Sequence, residues 1–502
     1  MKLQSHMKFS AAAVAAALAV SGCAVGPDFH PPAAPTTSRY TPEPLPAETV
    51  AAPEASHLGQ PGAAQQFVSG QDIPAQWWTI FHSEPLDQLI RAALADSPTL
   101  AAAQAALRQA RENLAAERGT LLYPQVDANV GVERSNILLG FPGTIYTVDS
   151  ATVSVSYKLD LFGGSRRTLE AFRSQIDYQN FQLEAAYLTL TSNVVTTAVQ
   201  EASLRAQIQA LGEILAAQEK QLEVIERQFK LGGVSKADVL AQRTQVAQTR
   251  ALLPPLDKQL AQTRHRLAVL SGKLPSEAVL PSFEIAALNL PEQLPVSLPS
   301  ALVRQRPDIR AAEALLHQAS AQVGVATANL YPQISLSGTY GSEALTPGQM
   351  FSAPSVAWTV LGGVLQPLFH GGALNAQKRA AVAAYDQAEA QYREVVLQSF
   401  QDVADTLRAL DADAVTLKTQ AEAEAVARES LELTQRQFKL GAVNFLILLN
   451  AQRQYQQARV NLVQAEALRY TDTAALFQAL GGGWWNRNTL AEANAPAAGQ
   501  TD

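Results

Sequence analysis

The chain has 502 residues, a formal net charge of −7 and no basic run dense enough to track a phosphate backbone, which excludes nucleic acid as a partner. Its single cysteine excludes an internal disulfide and any Cys-x-x-Cys metal pair. Aromatics at 7% beside plentiful Ala and Gln favour long helices over a bulky globular core.

Lys2 and Lys8 precede the apolar run Ala11 to Val20, and Val20-Ser21-Gly22-Cys23 follows. A charged start, a short apolar stretch and small residues before a cysteine form a secretory signal ending in a lipobox. This assigns 1–22 to a lipoprotein signal peptide and makes Cys23 the lipid-modified first residue of the mature chain. As a membrane anchor the run is too short to span a bilayer. From 23 to 76 the chain is rich in Pro, Ala, Thr and Glu without helical period, so it is expected to be an extended strap or flexible tether.

A first repeat is expected over 77–273. Trp77 to Phe81 opens it, Pro85 to Leu94 reads as a short helix, and Ser97-Pro98 supplies an N-cap with Pro at N1 for an Ala-rich helix reaching about Leu121. After Tyr123-Pro124 the period changes to two, giving strands at about 124–134 and 150–161. Val126, Ala128, Val130 and Val132 alternate with Gln125, Asp127, Asn129 and Glu133; Val153, Val155 and Tyr157 alternate with Ser154, Ser156 and Lys158. Gly163-Gly164 then leads into a helix expected from Arg166 to Leu231, whose seam Leu204, Ile208, Leu211, Leu215, Leu222, Ile225 and Phe229 keeps coiled-coil spacing and requires burial. In the return helix Pro254-Pro255 is expected to force a kink.

A Pro-rich linker over 274–305, packed over the outside, separates this from a second repeat over 306–483. Arg306-Pro307-Asp308-Ile309 restarts the pattern, strands follow at about 332–341 and 355–368, and a helix is expected from Ala373 to Leu440, with the seam Phe400, Val403, Leu407, Leu410, Ala414 and Leu417. The two halves share a motif: Gln228-Phe229-Lys230-Leu231-Gly232 returns 209 residues later as Gln437-Phe438-Lys439-Leu440-Gly441. Both read as hairpin tips, where a glycine in the left-handed region ends one long helix before the next begins. The stretch 484–502 reads as a loose tail. The fold class is therefore mainly α with a small β part, duplicated internally.

Four amphipathic strands are long enough to cross a bilayer when tilted but too few to close a barrel, and an open edge in lipid is forbidden. Two chains would give eight strands with an interior filled by side chains; three would give twelve, leaving a lumen for Asp127, Asn129 and Lys158. A soluble sheet on a coiled-coil stalk is the other arrangement that fits the pattern.

Several segments carry a family resemblance: Cys23-Ala24-Val25-Gly26-Pro27-Asp28-Phe29, Trp77-Trp78 with Phe81, Tyr123-Pro124-Gln125, Leu253-Pro254-Pro255-Leu256 with Leu267-Ala268-Val269-Leu270, Arg306-Pro307-Asp308-Ile309, Tyr331-Pro332, and Leu449-Asn450-Ala451-Gln452-Arg453. In this order and spacing they resemble the OprM/NodT-type outer membrane factor lipoproteins of the TolC superfamily over nearly the whole mature chain. The resemblance implies a homotrimer with a twelve-stranded barrel in outer-membrane lipid and a periplasmic tunnel of helices. It implies an exit duct for efflux, working with a periplasmic adaptor protein and an inner-membrane, proton-driven RND transporter. The tips Lys230, Leu231, Gly232 and Gly233, with Lys439, Leu440, Gly441 and Ala442, would then meet the adaptor. Leu446 and Asn450 match the periplasmic gate, where the family's carboxylate is replaced here by an amide. Three amides can hydrogen-bond in a ring without charge, which implies weak sensitivity to divalent cations. Leu446 has an equally good reading as an ordinary seam residue.

Enzymatic readings fail one by one. Ser271-Gly272-Lys273 resembles the end of a phosphate loop, but Leu267 stands where the first glycine belongs. The seven histidines form no i, i+4 metal pair, and Asp402 and Asp405 read as a solvated helix face. No catalytic site, metal or cofactor is expected. Two rivals remain: a related exit channel for protein secretion, and a coiled-coil periplasmic scaffold without a pore.

Overall fold

A computed structural model describes residues 24–52, 62–137 and 144–487. Signal peptide and Cys23 lie outside the described residues. In chain order the elements are β1 (Gln66–Ser69), α1 (Glu84–Asp96), α2 (Pro98–Leu122), β2 (Gln125–Ile137), β3 (Thr144–Leu159), α3 (Gly164–Lys230) and α4 (Lys236–Leu270). The second half gives β4 (Gln293–Val296), α5 (Pro299–Gln305), α6 (Pro307–Ala328), β5 (Gln333–Ala344), β6 (Val356–Leu365), α7 (Ala373–Lys439) and α8 (Phe445–Ala479). The duplication holds residue by residue in the helices. Both α3 and α7 have 67 residues, both α4 and α8 have 35, and each pair starts 209 positions apart, Gly164 against Ala373 and Lys236 against Phe445.

The chain divides into two compact units. One holds the chain up to Ala33, Ala105–Phe181 and Ala311–Glu394; the other holds Ala34–Gln104, Gln182–Arg310 and the chain from Val395. The first contains a four-stranded antiparallel sheet in the order β2-β3-β5-β6. Its strands have 13, 16, 12 and 10 residues; the first three exceed the expected spans at the hairpin ends, because cross-strand pairing continues after the alternation of the sequence fades, whereas the fourth is shorter than the expected 355–368. At the start of the chain, Arg167 bridges Asp28 at 2.7 Å and Glu170 at 2.8 Å, and Phe29 stacks on His317 with centroids 4.3 Å apart.

The second unit is helical, with a continuous apolar core. Trp77 stacks on Phe477 at 5.4 Å, and Phe81, Ile90, Leu267 and Tyr470 close around them. The seam residues Val403, Leu407, Leu410, Ala414 and Leu417 are fully buried, as the heptad spacing requires. Phe229, expected to end the first seam, is instead exposed, since α3 stops one residue later and no helix turn remains to cover it.

Three expectations need correction. The strap is no loose tether: β1 pairs in parallel with β4, Gln66 against Gln293 through Ser69 against Val296. The buried Arg469 also clamps it, donating to Ala63 O at 3.0 Å and to Gln65 Oε1 at 2.8 Å. The linker over 274–305 is not merely external, because Phe283, Ile285, Leu288 and Leu294 enter the core and α5 ends it. Helix assignment in α4 is continuous through Pro254 and Pro255. Exposure of both prolines leaves the carbonyls that lose their donors beside solvent. The tail begins tied down: Trp484 Nε1 donates to Gln305 O at 2.6 Å and Arg487 pairs with Glu184 at 2.7 Å, while 488–502 lie outside the described residues.

Candidate functional site

Alternation along each strand becomes two chemically distinct faces only if the registers agree, and they do. Ala128 stands beside Val153, Val153 beside Tyr340 and Tyr340 beside Trp358; one rung away Val126, Val155 and Val360 align across Gly338. On the opposite face Asp127, Ser154, Thr339 and Thr359 form a row, with Asn129 beside Thr152 and Lys158 beside Ser335. Asp127, Asn129 and Lys158 are thus brought to one face, as the alternation predicts. The apolar row is uncovered: Val130 is 82% and Trp358 70% exposed. Leu361 and Leu365 break the pattern by lying opposite Ser337 and Gln333 on the polar face. Among the described residues, strands β2 and β6 each pair on one side only. Four antiparallel strands begin and end with opposite senses, so the β6 edge of one copy is fit to receive β2 of another in antiparallel fashion.

The tips are duplicated down to single hydrogen bonds. Gly232, at φ 75°, donates its N–H to Phe229 O at 3.0 Å, and Gly233 donates to Gln228 O at 2.8 Å. Gly441, at φ 73°, donates to Phe438 O at 3.0 Å, and Ala442 to Gln437 O at 2.9 Å. Each is a Schellman stop. Only the first residue of each pair needs the left-handed region, which explains why Gly233 is matched by an alanine. The return helices start from different caps: Ser235 forms a capping box with Asp238, whereas Asn444 Oδ1 accepts from Ile447 N at 3.1 Å. Lys230 and Lys439 complement the C-terminal dipoles. Leu231 and Leu440 stand 86% and 84% exposed, which leaves two bulky apolar side chains at the ends of a helical structure that none of the described residues covers. Beneath them Ile225, Val239, Phe445, Leu448 and Leu449 form a separate small core that fixes the two hairpins against each other.

Leu446 and Asn450 lie one turn apart on the exposed side of α8, while Leu448 and Leu449 turn inward. Leu446 is 61% exposed, so it is not a seam residue of the chain's own packing.

Residues that the sequence reading passed over are charges on buried helix stripes. Glu466 and Arg469 sit on α8 between Leu462 and Tyr470, all buried. Burial pushes the Glu466 carboxyl up to about 7, with Arg459 opposing and Glu424 adding to the shift. Asp413 is also raised to about 7, first by burial and then by the adjoining Asp472 carboxyl. Their signal was present as i, i+3 and i, i+4 spacing from apolar core residues, had charged residues been tested against the same period. Among the described residues no group of three His, Cys, Asp or Glu could hold a metal, and no helix is long and apolar enough to cross a membrane.

A sheet with one bare apolar face, one polar face and two edges fit to pair with copies of itself, joined to duplicated helical hairpins, defines a subunit of an outer-membrane channel. A family model described as outer membrane efflux protein matches residues 89–273 and 298–482. The chain belongs to the outer membrane efflux protein family. It is 33% identical over 429 residues to the pyoverdine export outer membrane protein OpmQ of Pseudomonas putida, covering 82% of this chain and 89% of that one. It is 29% identical over 492 residues to the probable efflux pump outer membrane protein TtgC of the same species, covering 97% of each. Among solved structures, the outer-membrane channel OprN matches with a TM-score of 0.81 at 27% identity, over 92% of this chain and 100% of that one.

Proposed function

We propose that three copies of the chain close their sheets into one twelve-stranded barrel in the outer membrane, serving as the passive exit duct of an RND-type tripartite efflux pump. One observation carries this reading: the registers place apolar and polar rows on opposite faces, with a free edge at each side of the sheet. Eight strands would leave an interior filled by side chains, whereas twelve leave a water-filled bore. Asp127, Asn129 and Lys158 then face water inside that bore, and Val130, Val153 and Trp358 face lipid.

Exposed Leu231 and Leu440 beside Lys230 and Lys439 suit docking to a periplasmic adaptor, with Gly232, Gly233, Gly441 and Ala442 shaping the notch. Leu446 and Asn450 line the periplasmic mouth, and lipid on Cys23 adds an anchor. The pump and not the duct sets the cargo. In keeping with this, relatives bear names as different as pyoverdine export, toluene efflux and cation efflux. The chain itself has no catalytic role.

Recording from the purified protein in a planar bilayer tests the reading. Steady ion current is expected, with little block by divalent cations, because an Asn450 ring carries no charge. Strong divalent block relieved by Asn450→Ala would overturn the expected insensitivity to divalent cations; absence of any conductance from membrane-extracted protein would overturn the duct.

A further inference from the structure

Helix α8 carries a buried stripe at helical spacing, Leu462, Val463, Glu466, Arg469, Tyr470 and Thr473. Arg469 is engaged by the strap. Glu466 is different: it is 4% exposed, and its Oε1 has no hydrogen-bond partner among the described residues. A buried carboxylate oxygen without a donor is costly, and packed helices seldom keep one without a use for it.

Glu466 lines a cleft of about 660 Å³ walled by α3, α4, α8 and the segment at 284–286. Ile208, Leu260 and Val463 give the wall an apolar part. Around it stand three exposed acids, Glu213, Asp257 and Glu284. Two cations also line it. Arg205 is held by Glu201 at 2.7 Å, and Arg459 lies two turns from Glu466 on the same helix, so the acids outnumber the available positive charge. An acidic mouth over an apolar wall, with an acceptor buried within, is complementary to a compact organic cation. A bare metal ion is a poor match, since no group of three ligating side chains is found among the described residues.

The geometry points to a binding site for an organic ammonium ion with an apolar body, its charged head on Glu466 and its body against Ile208, Leu260 and Val463. The site lies roughly 30 Å along α8 from the hairpin tips at the helical rise of about 1.5 Å per residue, and it is independent of the sheet. It requires neither a pore nor a pump.

The test uses the full-length protein purified from membranes, with its assembled mass recorded in the same sample. Phenethylammonium is titrated by calorimetry and by saturation-transfer NMR, with phenethyl alcohol as the uncharged counterpart. Saturable binding of the ammonium ion is expected, with the alcohol and the Glu466→Gln variant each weaker by about tenfold or more, the size of one lost charge-assisted hydrogen bond. Asp257→Asn changes only an exposed rim charge and keeps the fold in any case; it is expected to weaken binding about twofold to threefold through the mouth potential. Equal binding of ammonium ion and alcohol, unchanged affinity in Glu466→Gln, or no saturable binding to the intact assembly would overturn the site. The last result would mean that a neighbouring copy or bound water fills the cleft.

Discussion

Replacing Arg306 by Met removes the hub of the second unit while keeping most of its bulk. Its guanidinium pairs with Asp308 at 2.6 Å and Asp402 at 3.0 Å, and donates to Ala479 O at 3.0 Å and Ser399 O at 3.4 Å. These contacts hold it protonated although burial opposes the charge. Truncating one partner of a fully buried ion pair costs about 3–5 kcal/mol. Here the side chains of Asp308 and Asp402 keep 44% and 37% of their exposure, so both acids can resolvate and that figure falls. The two carbonyls remain without their donor at about 1 kcal/mol each, which brings the expected loss to about 2–3 kcal/mol per chain. Urea unfolding of the detergent-solubilised protein, followed by tryptophan fluorescence, reads this as a lower midpoint with unchanged slope. Trp77, Trp78 and Trp484 all report on that unit. A loss below about 0.5 kcal/mol, the level of an ordinary surface substitution, would refute the assignment of Arg306 as a hub.

Three further outcomes follow from particular residues. Val130→Arg on the apolar face is expected to cost about 2–4 kcal/mol in a membrane and to abolish recovery from outer-membrane fractions, whereas Asn129→Arg on the other face is tolerated; equal recovery of both variants would contradict the lipid-facing assignment. Glu466 titrates at about 7 in the folded chain, against about 4.3 unfolded, so the folded state holds the extra proton between those values. Stability therefore rises as pH falls through 7, by about 4 kcal/mol when complete, and Glu466→Gln flattens that part of the profile of thermal midpoint against pH. Gly232→Ala and Gly441→Ala meet no atom within 4 Å, so each is expected to cost only the left-handed strain of about 1 kcal/mol. Faster hydrogen exchange confined to the last turns of α3 and α7 is the readout.

Local pattern was legible where one element supplied its own signal. Helix ends at Gly232 and Gly441, the N-cap at Ser97, the strand alternation at 125–133 and the repeat of 209 residues all reappear in the fold. What escaped was set by partners distant in sequence. The four residues of β1 pair with a segment more than two hundred positions away that contains Pro295, and nothing local announces such a match. Proline is tolerated there because β4 is an edge strand. Trp484 and Trp485 fall in the stretch that reads as a loose tail, though two adjacent indoles need burial or hydrogen-bond partners, here Gln305 and Asp72. At the tips, sequence repetition located Leu231 and Leu440, and only the packing beneath them showed that they are left uncovered.

The most direct measurement joins mass and current on one preparation: the chain is extracted from outer membranes, weighed by native mass spectrometry and recorded in a planar bilayer. Three chains per particle, together enclosing one continuous ion path, is the predicted result. A folded single chain that carries no current would contradict it, because the bare apolar rows and unpaired edges of the sheet would then have some other use.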